Sequence, residues 1–187
     1  MLILASRSPR RSELLTAAGI AFEVLAADID ETPRANESPV AYVERLAIEK
    51  ARAVLQLRPD ARVLGADTTV TIDGEILGKP VDEADAVRMM RLLSGRVHDV
   101  HTGVALVSRG GVESAVETTR VWFSAMTDKD ISWYVATGEP VDRAGAYAIQ
   151  GYASRFIPRI EGSYSNVVGL PVALVSSILS RGITPTL

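Results

Sequence analysis

The first eleven residues end in Ser6-Arg7-Ser8-Pro9-Arg10-Arg11, three guanidinium groups and two hydroxyls with no acid among them. Ser8-Pro9 reads as a helix start, with Ser8 at the N-cap and Pro9 at the first helical position. Unpaired N–H groups and the positive end of a helix dipole suit a phosphate there, and arginines add bidentate donors. A plain N-cap among exposed arginines fits the same pattern. Lys50 is the second cation of interest. Its neighbours at three and four residues, Leu46, Ala47, Ala53 and Val54, are all apolar, so it projects from the face of a helix that should be buried. A buried ammonium needs a carboxylate or an anionic ligand, unless the chain snorkels to solvent.

Carboxylates that answer this charge follow. Asp67 stands directly after an apolar run, Val63 to Ala66, and before Thr68-Thr69. Open α/β folds place ligands at the carboxyl ends of strands. A carboxylate there can hold Mg²⁺ or take a proton from an attacking water, or simply form a turn. Glu31, in the acidic loop Asp28-Ile29-Asp30-Glu31, is a second oxygen ligand or a solvated loop charge. Lys79 lies in Leu77-Gly78-Lys79-Pro80, where glycine allows close backbone approach and proline fixes the turn. A surface lysine in a turn reads the same way. Gln150 and Asn166 each offer a donor and an acceptor, which suits the edge of a base.

Composition narrows the chemistry. The chain has no cysteine, which excludes disulfides, thiolate zinc sites and cysteine nucleophiles. Its two histidines, His98 and His101, lie three apart in a predicted strand and so face opposite ways. A metal would therefore rest on oxygen ligands, favouring Mg²⁺ or Mn²⁺. A net charge of −3 argues against general nucleic-acid binding. No apolar run approaches the roughly 20 residues that span a bilayer, and the short start Met1 to Ala5 lacks a basic lead-in. A cytoplasmic protein is expected.

The elements alternate. Strands are predicted at Leu2–Ala5, Phe22–Leu25, Val63–Ala66, Val70–Leu77 with an Asp73-Gly74 hairpin turn, His98–Val107 and Val112–Phe123. Helices are predicted from Pro9 to a stop at Gly19, from Pro39 to about Leu57, from Asp82 to Gly95, after Thr127 with Asp130 completing a capping box, and from about Pro171 to Ser180. An irregular Gly- and Ser-rich stretch precedes the last helix. With no linker dividing it, residues 1–187 read as one α/β domain with a mixed sheet and flanking helices, arranged as two lobes around a cleft.

The order of these pieces resembles the Maf family. Leu4-Ala5-Ser6-Arg7-Ser8-Pro9-Arg10-Arg11-Ser12-Glu13-Leu14-Leu15 is similar to its opening signature. Leu46-Ala47-Ile48-Glu49-Lys50-Ala51, Gly65-Ala66-Asp67-Thr68, Gly78-Lys79-Pro80, Ser94-Gly95 through His98 to Thr102-Gly103, Ala148-Ile149-Gln150-Gly151 and Gly162 to Pro171 follow in the family's order. The resemblance implies a fold like that of inosine-triphosphate pyrophosphatases, often dimeric, and cleavage of nucleoside triphosphates between the α and β phosphates with a divalent metal. It makes Asp67 the general base and a metal-site carboxylate, with Glu31 nearby. Ser8, Arg11, Lys50 and Lys79 would hold the triphosphate.

Arg10, Thr68 and Gln150 match the specificity positions of the branch that resembles dTTP/UTP pyrophosphatases. The sister branch acting on 7-methyl-GTP usually carries tryptophan in the opening motif and glutamate at the position of Gln150. Glutamine can match the alternating acceptor and donor groups of uracil or thymine. Arg7 departs from the pattern, where a small residue is usual. The resemblance also allows a nucleotide-binding regulator of cell division and septum formation whose hydrolysis is incidental, and chemistry alone allows a phosphatase releasing orthophosphate.

Overall fold

The computed structural model describes residues 1–181. Its strands are β1 (Leu2–Ala5), β2 (Glu23–Val24), β3 (Arg62–Ile72), β4 (Glu75–Leu77), β5 (Val97–Ser108), β6 (Gly111–Trp122) and β7 (Arg159–Glu161). Its helices are α1 (Pro9–Ala17), α2 (Pro39–Leu57), α3 (Glu83–Leu93), α4 (Asp128–Ala136), α5 (Tyr164–Val168) and α6 (Val172–Arg181). The seven strands form one mixed sheet in the order β2-β1-β3-β5-β6-β7, with β4 on β3. β1 runs parallel to β2 and β3, whereas β3–β4 and β6–β7 are antiparallel. No helix among the described residues is long and apolar enough to cross a membrane.

The expected elements are present, with two corrections. Val63–Ala66 and Val70–Leu77 do not begin and end as separate strands. β3 runs unbroken from Arg62 to Ile72, because Thr68 to Ile72 are all β-branched and favour an extended backbone. Asp67 therefore sits in mid-strand and not beyond a strand's end. The supposedly irregular stretch before the last helix also holds β7 and α5, elements too short to show a period. Asp73 and Gly74 supply the positive φ values, +51° and +81°, of the hairpin turn.

The chain divides into two compact units. The first comprises residues 1–68, 102–117 and those from 169 onward, and the second 69–101 and 118–168. In the first, alternate strand residues face opposite layers. Ile3, Ala5, Val63, Ala105 and Val107 pack with Ala47, Ala51 and Val54 of α2. Leu4, Leu64, Ala66, Val104 and Leu106 pack with Leu15 of α1 and with Val175 and Ile178 of α6. In the second unit, Ala86, Met89, Met90 and Leu93 of α3 share a core with Ile131, Tyr134 and Val135 of α4, and with Val70, Val100 and Val121 of the sheet. His98 joins that core through edge contacts to Phe123 and Tyr147, with centroids 5.2 and 5.4 Å away.

Two glycines set the distance between α2 and the sheet. A Cβ on Gly65 would lie 2.0 Å from the carbonyl oxygen of Ala47, and one on Gly103 2.3 Å from that of Val43. Backbone meets backbone at both points, so nothing flexible can yield. Gly103→Ala should cost about 3 kcal/mol or more of unfolding free energy, measured by urea denaturation. A loss below about 1 kcal/mol would show that α2 lifts away easily.

Burial lowers the pKa of His98 to about 3, and that of His101 in the same direction. The unfolded imidazole takes a proton near pH 6.5 while the folded one at position 98 does not until about pH 3. Its contribution to stability is thus complete above 6.5 and is lost as pH falls towards 3, by up to about 1.4 kcal/mol per pH unit. Unfolding free energies measured from pH 7 to 4 should fall less steeply in His98→Gln than in the parent protein.

Candidate functional site

Register creates the site. β1 pairs with β3 up to Ala5 opposite Gly65; there β1 stops and its chain turns into α1, while β3 continues. The Ala66 carbonyl, beyond the reach of β1 pairing, accepts from Arg11 Nη1 at 2.8 Å. The same nitrogen donates to Ser6 Oγ at 3.1 Å, Nη2 to Thr68 Oγ1 at 3.1 Å, and Nε to the Gly169 carbonyl at 2.8 Å. Four of the five N–H groups of the guanidinium thus bind protein. Burial lowers the pKa of Arg11, against the opposing pull of Asp67 and Glu31.

The next residue along β3 faces the other layer. Asp67 shares the parity of Val63 and Gly65, which points it at α2, and there its Oδ1 receives Lys50 Nζ at 2.6 Å. Lys50 also pairs with Glu31 Oε1 at 2.9 Å. The side chains of Lys50 and Asp67 are only 14% and 11% exposed, that of Glu31 56%. Burial raises the pKa of Asp67, opposed by Lys50 and Arg11. Lys50 thus projects from the buried face of α2, as its apolar neighbours require, and finds two carboxylates there.

Glu31 has no regular element of its own, yet its loop is fastened to α2. Tyr42 Oη donates to the Glu31 carbonyl at 2.9 Å and Arg45 Nη2 to that of Thr32 at 3.2 Å. Arg45 also grips Glu37 through Nε and Nη2. Burial, then Asp67 and Glu31, push the Tyr42 hydroxyl up to about 12, so it stays a neutral donor.

The other residues singled out by sequence fall in several places. Ser8 occupies the N-cap of α1, but its hydroxyl makes no capping bond; its own N–H donates to Ser6 Oγ at 3.2 Å. Ser38, at the matching place on α2, does accept from the Ala41 N–H. Arg10 is half-buried in the first turn of α1. Arg7 faces away from this chemistry, paired with Asp28 at 2.8 Å on the surface. Thr68 Oγ1 lies 2.9 Å from Thr102 Oγ1 and 3.3 Å from the Gly169 carbonyl. In the second unit, exposed Lys79 pairs with Asp142, and exposed Gln150 sits in the turn closed by Gly151 N–H donating to Ala148 O at 3.1 Å. Asn166 is buried, with Nδ2 donating to Val100 O and Thr119 Oγ1, both at 3.0 Å. It serves the core and is not a base-reading group. His101 spans Thr71 and Thr118 at 3.0 and 2.9 Å, and His98 Nε2 meets Tyr147 Oη at 2.8 Å.

Tyr42 and the Gly169 carbonyl were not anticipated from sequence. Tyr42 could have been found, since it lies eight residues before Lys50 on the same helical face. Gly169 meets Arg11 across 158 residues, a pairing no local pattern announces. Among the described residues no group of three or more histidines, aspartates or glutamates is arranged to hold a metal.

Comparison with known proteins accords with this architecture. A protein of Myxococcus xanthus named dTTP/UTP pyrophosphatase is 54% identical over 185 residues, covering 99% of this chain and 94% of its own. Proteins of the same name from Shewanella oneidensis and Acinetobacter baylyi are 52% and 49% identical, over 96% and 95% of this chain and 97% of each of theirs. Among solved structures, the Ham1 protein of Staphylococcus aureus superposes with a TM-score of 0.55 at 12% identity, covering 96% of this chain and 98% of that one; this likeness concerns the fold alone. The family model described as Maf-like protein matches residues 1–182, and on that span the chain belongs to the Maf-like proteins.

Proposed function

We propose that this protein hydrolyses dTTP and UTP to the monophosphate and pyrophosphate. The reading is carried by one observation: a buried aspartate in mid-strand, paired with a half-buried lysine that also holds a second carboxylate. The name shared by relatives about half identical over nearly the whole chain supports the substrate.

In this mechanism Asp67 takes a proton from a water whose oxygen attacks the α-phosphorus. The bond from that phosphorus to the α–β bridging oxygen breaks, and pyrophosphate leaves with the electron pair. The raised pKa of Asp67 makes it a stronger base than an exposed carboxylate. Lys50, Arg11 and the Ser8 hydroxyl at the positive end of α1 face the triphosphate and offset its charge. The family resemblance assigns Lys79 to phosphate binding and Gln150 to the pyrimidine edge. Arg10 and Thr68 complete base selection.

Two carboxylates, Glu31 and Asp67, fit a hard divalent cation that takes its remaining ligands from phosphates and water, as Mg²⁺ commonly does. When bound, such an ion neutralises charge on the leaving pyrophosphate.

Asp67→Asn should fold normally and lose turnover by about 10³-fold or more, with pyrophosphate and UMP or dTMP the products of the parent protein. EDTA should silence the parent enzyme, and Mg²⁺ or Mn²⁺ restore it. Near-normal turnover in Asp67→Asn, or release of orthophosphate, would sink the mechanism. Gln150→Glu replaces the amide donor by an acceptor and should lower kcat/KM for UTP and dTTP relative to GTP by about 10- to 100-fold. An unchanged ratio would remove Gln150 from base selection.

A further inference from the structure

Gln150 is exposed, but its neighbours are fixed: Ala148, Ile149 and Ala153 are all buried. After Gly151 the chain enters a 3-10 helix, Tyr152–Phe156, whose first N–H groups need an acceptor. Glu139 supplies it from beyond the end of α4. Its Oε2 accepts from the Tyr152 N–H at 2.6 Å, and its Oε1 from the Ala153 N–H at 3.1 Å and the Tyr134 hydroxyl at 2.9 Å. Tyr134 is fully buried in α4, so the carboxylate is held from below.

Two further bonds hold the glutamate's own backbone. Thr137 Oγ1 donates to the Tyr134 carbonyl at 2.6 Å and accepts from the Glu139 N–H at 3.2 Å. A Cβ at position 151 would lie 1.9 Å from Glu139 Oε2, so a side chain there has to displace the carboxylate. An ionised acceptor binding two backbone N–H groups and a phenol is a strong local restraint. It acts on Tyr152 and Ala153, the second and third residues after Gln150.

We propose that Glu139 is a positioning residue for Gln150 and, through it, a determinant of which base the protein accepts. This rests on the base-reading role proposed above for Gln150. Ionised Glu139 presents acceptors only, and all three surrounding donors need them. A glutamine at this position has one acceptor oxygen and an NH₂ group that faces donors. The turn loses its anchor while the buried residues on either side keep their packing. The outcome is a Gln150 amide that samples several orientations, which weakens discrimination between bases and leaves the phosphate chemistry of the first unit in place.

The test measures kcat and KM for UTP, dTTP, CTP and GTP in the parent, Glu139→Gln, Gln150→Ala and the double variant, with urea denaturation to verify folding. Glu139→Gln should narrow the UTP-to-GTP ratio of kcat/KM about tenfold, mainly through KM for the pyrimidine nucleotides. In the Gln150→Ala background the same change should alter that ratio less than about twofold, since its target is gone. Gly151→Ala, which displaces the carboxylate without removing it, should reproduce Glu139→Gln. Amide hydrogen exchange at Tyr152 and Ala153 should quicken in Glu139→Gln and in Gly151→Ala.

A uniform fall for all four nucleotides in both backgrounds, with base ratios unchanged, would overturn the inference and leave the role of Gln150 intact. Slow exchange retained in Glu139→Gln would overturn it as well. If Gln150→Ala itself leaves base preference unaltered, the base-reading role fails and the specificity role of Glu139 falls with it. Quickened exchange would still identify the carboxylate as the clamp of the turn.

Discussion

Everything chemical in the first unit depends on how closely the backbone of α2 lies against the sheet. Gly65 and Gly103 admit the carbonyls of Ala47 and Val43 to positions that a methyl group would occupy. At that separation a lysine on the buried face of α2 cannot reach water by extending outward, and it ends on the strand beneath it. Lys50 lies three and seven residues beyond these two carbonyl contacts, on the same face of the helix. Asp67 lies two residues beyond Gly65, on the same face of β3. Two glycines and two periodicities thus bring an ammonium and a carboxylate to 2.6 Å. Removing the lysine would strip Asp67 of the ion pair it makes in a buried place, whereas Lys50 keeps Glu31 when Asp67 is neutralised.

The same alternation explains why Asp67 and Thr68, adjacent in sequence, answer to different cations. Asp67 faces α2 and meets Lys50; Thr68 faces α1 and meets Arg11. The early end of β1 is what lets Arg11 in, since it leaves the Ala66 carbonyl for a guanidinium to take. The strand is therefore gripped from both layers at its one acidic residue. Lys50 and Arg11 oppose the shift, and burial still dominates in raising the pKa of Asp67.

Much of this was legible in the sequence because it follows from local period. The apolar neighbours of Lys50 pointed to a cation with an anionic partner or one that snorkels to solvent, and the hairpin, the long helix and the capping box at Thr127 and Asp130 are written in a few residues each. The apolar run before Asp67 suggests a strand that ends there, yet β3 runs straight through it, because the β-branched residues that follow keep the backbone extended. What could not be read is distance in three dimensions. The Gly169 carbonyl on Arg11, the fastening of the Glu31 loop to α2 and the burial of Asn166 rest on contacts between remote segments, and no spacing rule reaches them. β7 and α5 were too short for any period to declare itself.

The two half-buried cations of the first unit are not equivalent, and their bonding shows why. Arg11 has four N–H groups committed to Ser6, Ala66, Thr68 and Gly169. One remains, so the residue can offer an incoming anion at most a single direct bond. Its further contribution is a fixed charge at a fixed place, preorganised before any ligand arrives. Lys50 has three donors and spends two, one on Asp67 and one on the more exposed Glu31. A third donor is available without loss of either carboxylate, and Glu31 can be given up to solvent at small cost. A guanidinium that holds the frame and an ammonium that can change partners are different tools. The first needs the planar fork of arginine and the second the flexible stem of lysine, so exchanging the two residue types would spoil both positions even though the net charge stayed the same.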